Sequence, residues 1–174
     1  MFIGRENELK FLNEAYTSDK AEFIVLYGRR RVGKTELLNE FCKDKPCIFY
    51  TCREYTDIKQ LQSFTDKVHS YHIPAFEYVD CFSNWEKAFS SVMHIESPAK
   101  KLLIIDEFPY ACKVNESIPS TLQVLWDEKL RYENVMIILC GSAMSFIEKE
   151  LLAEKNPLYG RTTGIYKIKP LPYT

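Results

Sequence analysis

An α/β domain built on a mostly parallel sheet is what this sequence predicts, and three observations carry the expectation. Four short runs, EFIVLYG, CIFYTC, KKLLIIDEF and VMIILCGS, are largely apolar and rich in β-formers. Helical periodicities occupy the chain between them. Two of the runs also end on residues with chemical potential, Gly28 after the first and Asp106 in the third. Strands covered on both faces read as near-continuous apolar runs, and intervening helices supply the two covering layers.

The elements follow in order. After MFIGRENEL, Leu9, Leu12, Ala15 and Tyr16 recur at helical spacing and predict a helix from about Arg5 to Thr17. EFIVLYG then reads as a buried strand, and KTELLNEFC from Lys34 as a helix with Leu37, Leu38 and Phe41 on one face. CIFYTC is the second strand. Between Thr56 and Ser97 two helical patterns appear, Leu61-Phe64-Val68-Tyr71 and Trp85-Ala88-Phe89-Val92, punctuated by Pro74 and Pro98. KKLLIIDEF is the third strand, STLQVLWDEKL a helix, VMIILCGS the fourth strand, SFIEKELLAEK a helix, and GIYKIKPL a fifth strand.

Composition narrows the function classes. The 174 residues are 46% hydrophobic and 27% charged, a globular balance, and a formal net charge of -1 gives no bulk basic field for a nucleic-acid backbone. No apolar run is long enough to cross a bilayer and no signal-peptide layout opens the chain, so a cytoplasmic protein without membrane contact is expected. The six cysteines form no C-x-x-C pair; they are read as free, apolar core residues rather than metal ligands. His69, His72 and His94 receive no function. The chain stops at KPLPYT without a closing helix, which suggests a single nucleotide-binding domain over residues 1–174, cut before a further segment.

The chemistry concentrates in YGRRRVGKTELL. Gly28-Arg29-Arg30-Arg31-Val32-Gly33-Lys34-Thr35 matches G-x-x-x-x-G-K-[ST], with a strand before it and a helix after. Two glycines let the backbone fold around an anion with its amides inward, and the helix start at Thr35 and Glu36 adds its positive end. Lys34 would reach the β- and γ-phosphates of ATP or ADP, and the Thr35 hydroxyl would ligate Mg²⁺. Three adjacent arginines repel one another unless something negative lies among them. One or two of the three would equally suit a solvated turn.

Asp106 and Glu107 follow the apolar LLII, where the first carboxylate would hold Mg²⁺ and the second would orient and deprotonate water. Ser142, just past the fourth strand, would face the γ-phosphate or the water; capping the helix that follows is its alternative. Arg161, before the fifth strand, would stabilise charge on the transferred group, or is an ordinary exposed arginine.

Taken together, FIGRENEL, YGRRRVGKTELL, LLIIDEFPY, ILCGS and PLYGR resemble the archaeal-type P-loop ATPases that border the AAA+ and STAND groups. The resemblance implies a three-layer P-loop NTPase fold with a five-stranded sheet in the order 5-1-4-3-2. It implies that Ile3, Gly4 and Arg5 line an adenine pocket, that Asp106 and Glu107 are the Walker B pair, that Ser142 is the sensor-1 equivalent, and that Arg161 is finger-like. Such proteins usually continue into a helical or winged-helix lid, which would be the route to any nucleic-acid partner, and a finger acting in trans would require self-association. The function expected is Mg²⁺-dependent ATP hydrolysis that drives a conformational change. A non-catalytic ADP/ATP switch and a small-molecule kinase are the alternatives.

Overall fold

The computed structural model describes residues 4–170; the expected adenine contact Ile3 lies outside the described residues. Five strands form one parallel sheet in the order β2-β3-β4-β1-β5, with β1 Glu22–Tyr27, β2 Cys47–Thr51, β3 Lys101–Asp106, β4 Val135–Gly141 and β5 Gly164–Lys167. Read from the other edge, this is the expected 5-1-4-3-2. All of β1 and β4 is buried, as central strands covered on both sides must be. Alternate residues feed two cores. Phe23, Val25, Leu103, Ile137 and Leu139 face one side; Ile24, Leu26, Leu102, Ile104 and Ile138 face the other.

The second face is closed by α1 Glu6–Tyr16 and α2 Lys34–Cys42, through Leu12, Leu37, Leu38 and Phe41. Lys100 ties the carboxyl end of α1 to the start of β3. Its ammonium donates to the Ala15, Ser18 and Lys20 carbonyls, and burial holds its pKa below the usual lysine value. Cations are favoured at such helix ends because carbonyls there lack intrahelical partners.

The first face carries α3 Asp57–His69, α4 Trp85–Ser90, α5 Phe108–Val114 and α6 Ile118–Glu128. The aromatic stretch from 56 to 97, given no role above, is largely core. Phe64 stands at its centre, with ring centroids 5.2 Å from Tyr50, 5.8 Å from Trp85 and 6.1 Å from Phe89. Such edge-to-face pairs add to plain area burial. Tyr78, 91% exposed, is an exception.

Two expectations need correction, and one helix is additional. The helix over SFIEKELLAEK is only Met144–Phe146 (α7) followed by one π turn, Ile147–Leu151, in which the Leu152 amide reaches the Ile147 carbonyl at 2.9 Å. The wider turn buries both Ile147 and Leu151, and the chain then runs in turns up to Pro157, whose ring disfavours helix at the residue before it. Helix α5 was not anticipated, although Pro109 in its first turn is a start signal. The cysteines are not all core: Cys81 is exposed, and Cys42 and Cys47 are half-buried. The interaction between these two thiols lowers Cys42 to about 7 and, together with burial, raises Cys47.

Gly28, where β1 turns into the next loop, is required for a close approach. A Cβ there would stand 2.5 Å from the Ile168 carbonyl oxygen, and backbone cannot swing aside as a side-chain tip can. Gly28→Ala is therefore expected to lower stability by about 1–3 kcal/mol. Thermal melting of the two proteins checks this, and equal midpoints would contradict it.

Candidate nucleotide site

Parallel strands present their carboxyl ends on one edge, and ligands bind in the crevice beyond that edge. Here the loop after β1, the turn after β3 and the residue after β4 meet around an open cavity of about 900 Å³. Its lining includes Arg5, Arg30, Arg31, Val32, Gly33, Lys34, Thr35, Glu36, Glu107 and Ser142. Volumes of this size suit small-molecule ligands.

The loop is shaped by two left-handed residues in its second half, Arg31 at φ 63° and Gly33 at φ 88°. Gly33 takes that conformation without penalty and begins α2; Arg31 does so at a cost of order 1–3 kcal/mol, which persists only where surrounding structure imposes it. Lys34, 6% exposed, donates from Nζ to the Gly28 carbonyl at 2.9 Å and to the Arg29 carbonyl at 2.7 Å. The ammonium thus braces the curl of the loop around the space an anion would fill. Arg29 supplies that carbonyl but does not line the cavity, whereas Arg30 and Arg31 do.

Across the cavity, Asp106 is 2% exposed at the end of β3. Its carboxylate accepts from the Thr35 hydroxyl at 3.0 Å and from the Glu107 amide at 2.9 Å. A buried carboxylate and a hydroxyl side by side, both hard oxygen donors, fit a Mg²⁺ ion that takes its remaining ligands from phosphates and water. Glu107, at φ 54°, is the hinge between β3 and α5. Burial, and then the negative charge of Asp106, push its carboxyl above the usual range; Ser142, Lys34 and Arg30 oppose that rise. Ser142 Oγ lies 3.2 Å from both Glu107 carboxylate oxygens. Its capping alternative is not realised, because α7 has no side-chain cap.

Arg5 is 4% exposed and fixed to the cavity rim. It donates to the Lys169 carbonyl at 2.8 Å, to the Val32 carbonyl, and to Glu8 at 3.3 Å. Gly4 beside it turns at φ 87°. Arg161 is not brought to this site. It lies ahead of the amino end of β5, paired with Asp127 at 3.0 Å in a separate depression with Lys20 and Arg131. Tyr110, which no sequence motif singles out, also lines the cavity one helical turn beyond Glu107. Recognising α5 would have located it, since a helix returns residue i+3 to the same side.

Comparison with known proteins bears on the family and the fold. A family described as an ATPase domain predominantly from Archaea matches residues 2–174. An uncharacterised protein of Methanocaldococcus jannaschii is 39% identical over 173 residues, 99% of this chain and 37% of that protein. An uncharacterised ATP-binding protein of the same organism is 51% identical over 45 residues, 26% of this chain and 76% of its own. A solved Walker-type ATPase of Pyrococcus abyssi superposes with a TM-score of 0.74 at 22% identity, over 97% of this chain and 54% of its own. The chain thus spans little more than a third of the first relative and about half of the solved ATPase. With the family match running through every strand and through the whole phosphate loop, the chain belongs to the ATPase-domain family found predominantly in Archaea.

Proposed function

We propose that this domain binds Mg·ATP in the cavity and hydrolyses it to ADP and phosphate, using the cycle to change conformation. The observation that carries the reading is the convergence of Lys34, Thr35, Asp106, Glu107 and Ser142 on one edge of the sheet. Loop amides between Gly28 and Glu36 would hold the phosphates, with Lys34 on the β- and γ-groups. Thr35 and Asp106 would hold Mg²⁺, which supplies charge neutralisation on the phosphate oxygens when bound. Glu107 would accept a proton from water as the water oxygen attacks the γ-phosphorus. The bond from that phosphorus to the bridging oxygen breaks, and its electron pair leaves with ADP. The raised Glu107 carboxyl suits a general base better than an unperturbed one, because its conjugate base is stronger. Ser142 would hold Glu107 or the water, and Arg5 would stand at the nucleoside end with Gly4.

The reading includes a longer protein around this domain, with a lid and any client contacts supplied by other segments; any nucleic-acid partner would be met there. Arg161, placed away from the cavity, would act only on a neighbouring copy. A second reading, an ADP/ATP-dependent switch with negligible turnover, is favoured by one arrangement: Ser142 occupies Glu107 while Arg161 is engaged by Asp127. Calorimetric titration with ATP, with and without Mg²⁺, combined with multiple-turnover phosphate release, separates the cases. Hydrolysis requires Mg²⁺-dependent binding and sustained release. Binding with a single turnover supports the switch, and absence of binding ends both.

A further inference from the structure

Three arginines follow Gly28, and the fold distinguishes them. The carbonyl of Arg29 holds Lys34, and Arg31 makes the left-handed turn. Arg30 lines the cavity and donates from Nη2 to the hydroxyl of Tyr110 at 3.0 Å. That partner is neutral. Among the described residues no carboxylate stands within ion-pair distance of Arg30, whereas the guanidinium of Arg161 is matched by Asp127. A phenol fixes where the guanidinium points without cancelling its charge, so the full charge stays available to an anion. Arg30 is also near enough to Glu107 to favour its ionised form.

We propose that Arg30, steered by the Tyr110 hydroxyl, is a second cation, besides Lys34, that this chain itself brings to the terminal phosphate of a nucleoside triphosphate, and that the pair sets the preference for triphosphate over diphosphate. The inference rests on the nucleotide reading above and deepens it. Lys34 is bonded to the loop carbonyls and serves the inner phosphates as well as the outer one. Arg30 enters the cavity together with Glu107, where the terminal phosphate and the attacking water must meet. A planar guanidinium pairs with two phosphate oxygens at once. As the bond to the bridging oxygen breaks, charge on the transferred group is stabilised by Arg30, which neither gains nor loses a proton. Tyr110 touches no reacting atom and is a positioning residue.

The experiment compares the parent with Arg30→Ala, Arg30→Lys, Tyr110→Phe and the double variant Arg30→Ala/Tyr110→Phe. Affinities for ADP and for a non-hydrolysable ATP analogue are measured with Mg²⁺, together with kcat and KM for phosphate release. Arg30→Ala should keep its ADP affinity, lose about tenfold in analogue affinity, and fall at least about 10²-fold in kcat. Arg30→Lys should recover part of the binding but little of the turnover, because an ammonium lacks the paired donors. Tyr110→Phe keeps the ring and loses the hydroxyl, so kcat should drop about tenfold with KM near the parent's, the loss of one charge-assisted hydrogen bond. It should change nothing further in the Arg30→Ala background. Equal loss of ADP and analogue affinity in Arg30→Ala, or unchanged discrimination, overturns the assignment and leaves the nucleotide reading standing. In a parent that binds without turnover, the analogue-to-ADP ratio decides alone. A parent that binds neither nucleotide overturns both.

Discussion

Lys34→Ala is expected to weaken ATP and ADP binding by about 10²–10³-fold and to leave no measurable turnover. The ammonium is buried, and among the described residues its partners are the Gly28 and Arg29 carbonyls. Arg30 and Arg31 also line the cavity, but Lys34 is the buried cation bonded to the backbone of the loop. Hydrogen bonds to charged groups contribute about 1.5–3 kcal/mol each. Losing one or two of them to phosphate corresponds to the stated range, because each 1.4 kcal/mol is tenfold in affinity. The variant also strips two carbonyls of a donor, so its melting temperature is measured alongside. A folded Lys34→Ala protein that binds nucleotide as tightly as the parent would contradict the placement of the phosphates in this loop.

Glu107→Gln should show the opposite pattern, with nucleotide affinity close to the parent's and phosphate release slower by about 10²–10⁴-fold, the usual contribution of a positioned general base. An amide keeps the shape of the carboxylate, and its oxygen still accepts from Ser142. It cannot take a proton from water. The substitution also removes a negative charge next to Asp106, which favours binding of a polyanion and argues against any loss of affinity. Single-turnover measurement with bound ATP isolates the chemical step. If Glu107→Gln releases phosphate at the parent rate, the base lies elsewhere.

The two variants test residues that the sequence places within a few positions of recognisable punctuation. Gly28, Gly33 and Lys34 belong to one short motif, and Asp106 with Glu107 ends an apolar run, so their backbone settings are set by neighbours. The same locality made the strands and the larger helices legible. It failed where local pattern and packing compete. The periodicity of SFIEKELLAEK suits an α-helix, yet burying Ile147 and Leu151 together is achieved by a π turn. The start of α5 was hidden because Asp106-Glu107 reads equally well as a strand running out into a loop; only the left-handed hinge at Glu107 turns the chain directly into a helix.

By itself the sequence determined the α/β class, the phosphate loop, the acid pair and the apolar faces that close the sheet, all of which follow from residue type and spacing over a dozen positions or fewer. The strand order could be anticipated only through family resemblance. Tertiary structure decided which groups share the cavity. It brought Tyr110 to Arg30 across 80 positions of chain and Ser142 to Glu107 across 35, and it left Arg161 with Asp127 ahead of the amino end of β5. Pairings over such separations are fixed by how parallel strands and their crossover helices stack, and the free energy behind that stacking is spread over both cores rather than carried by any local motif.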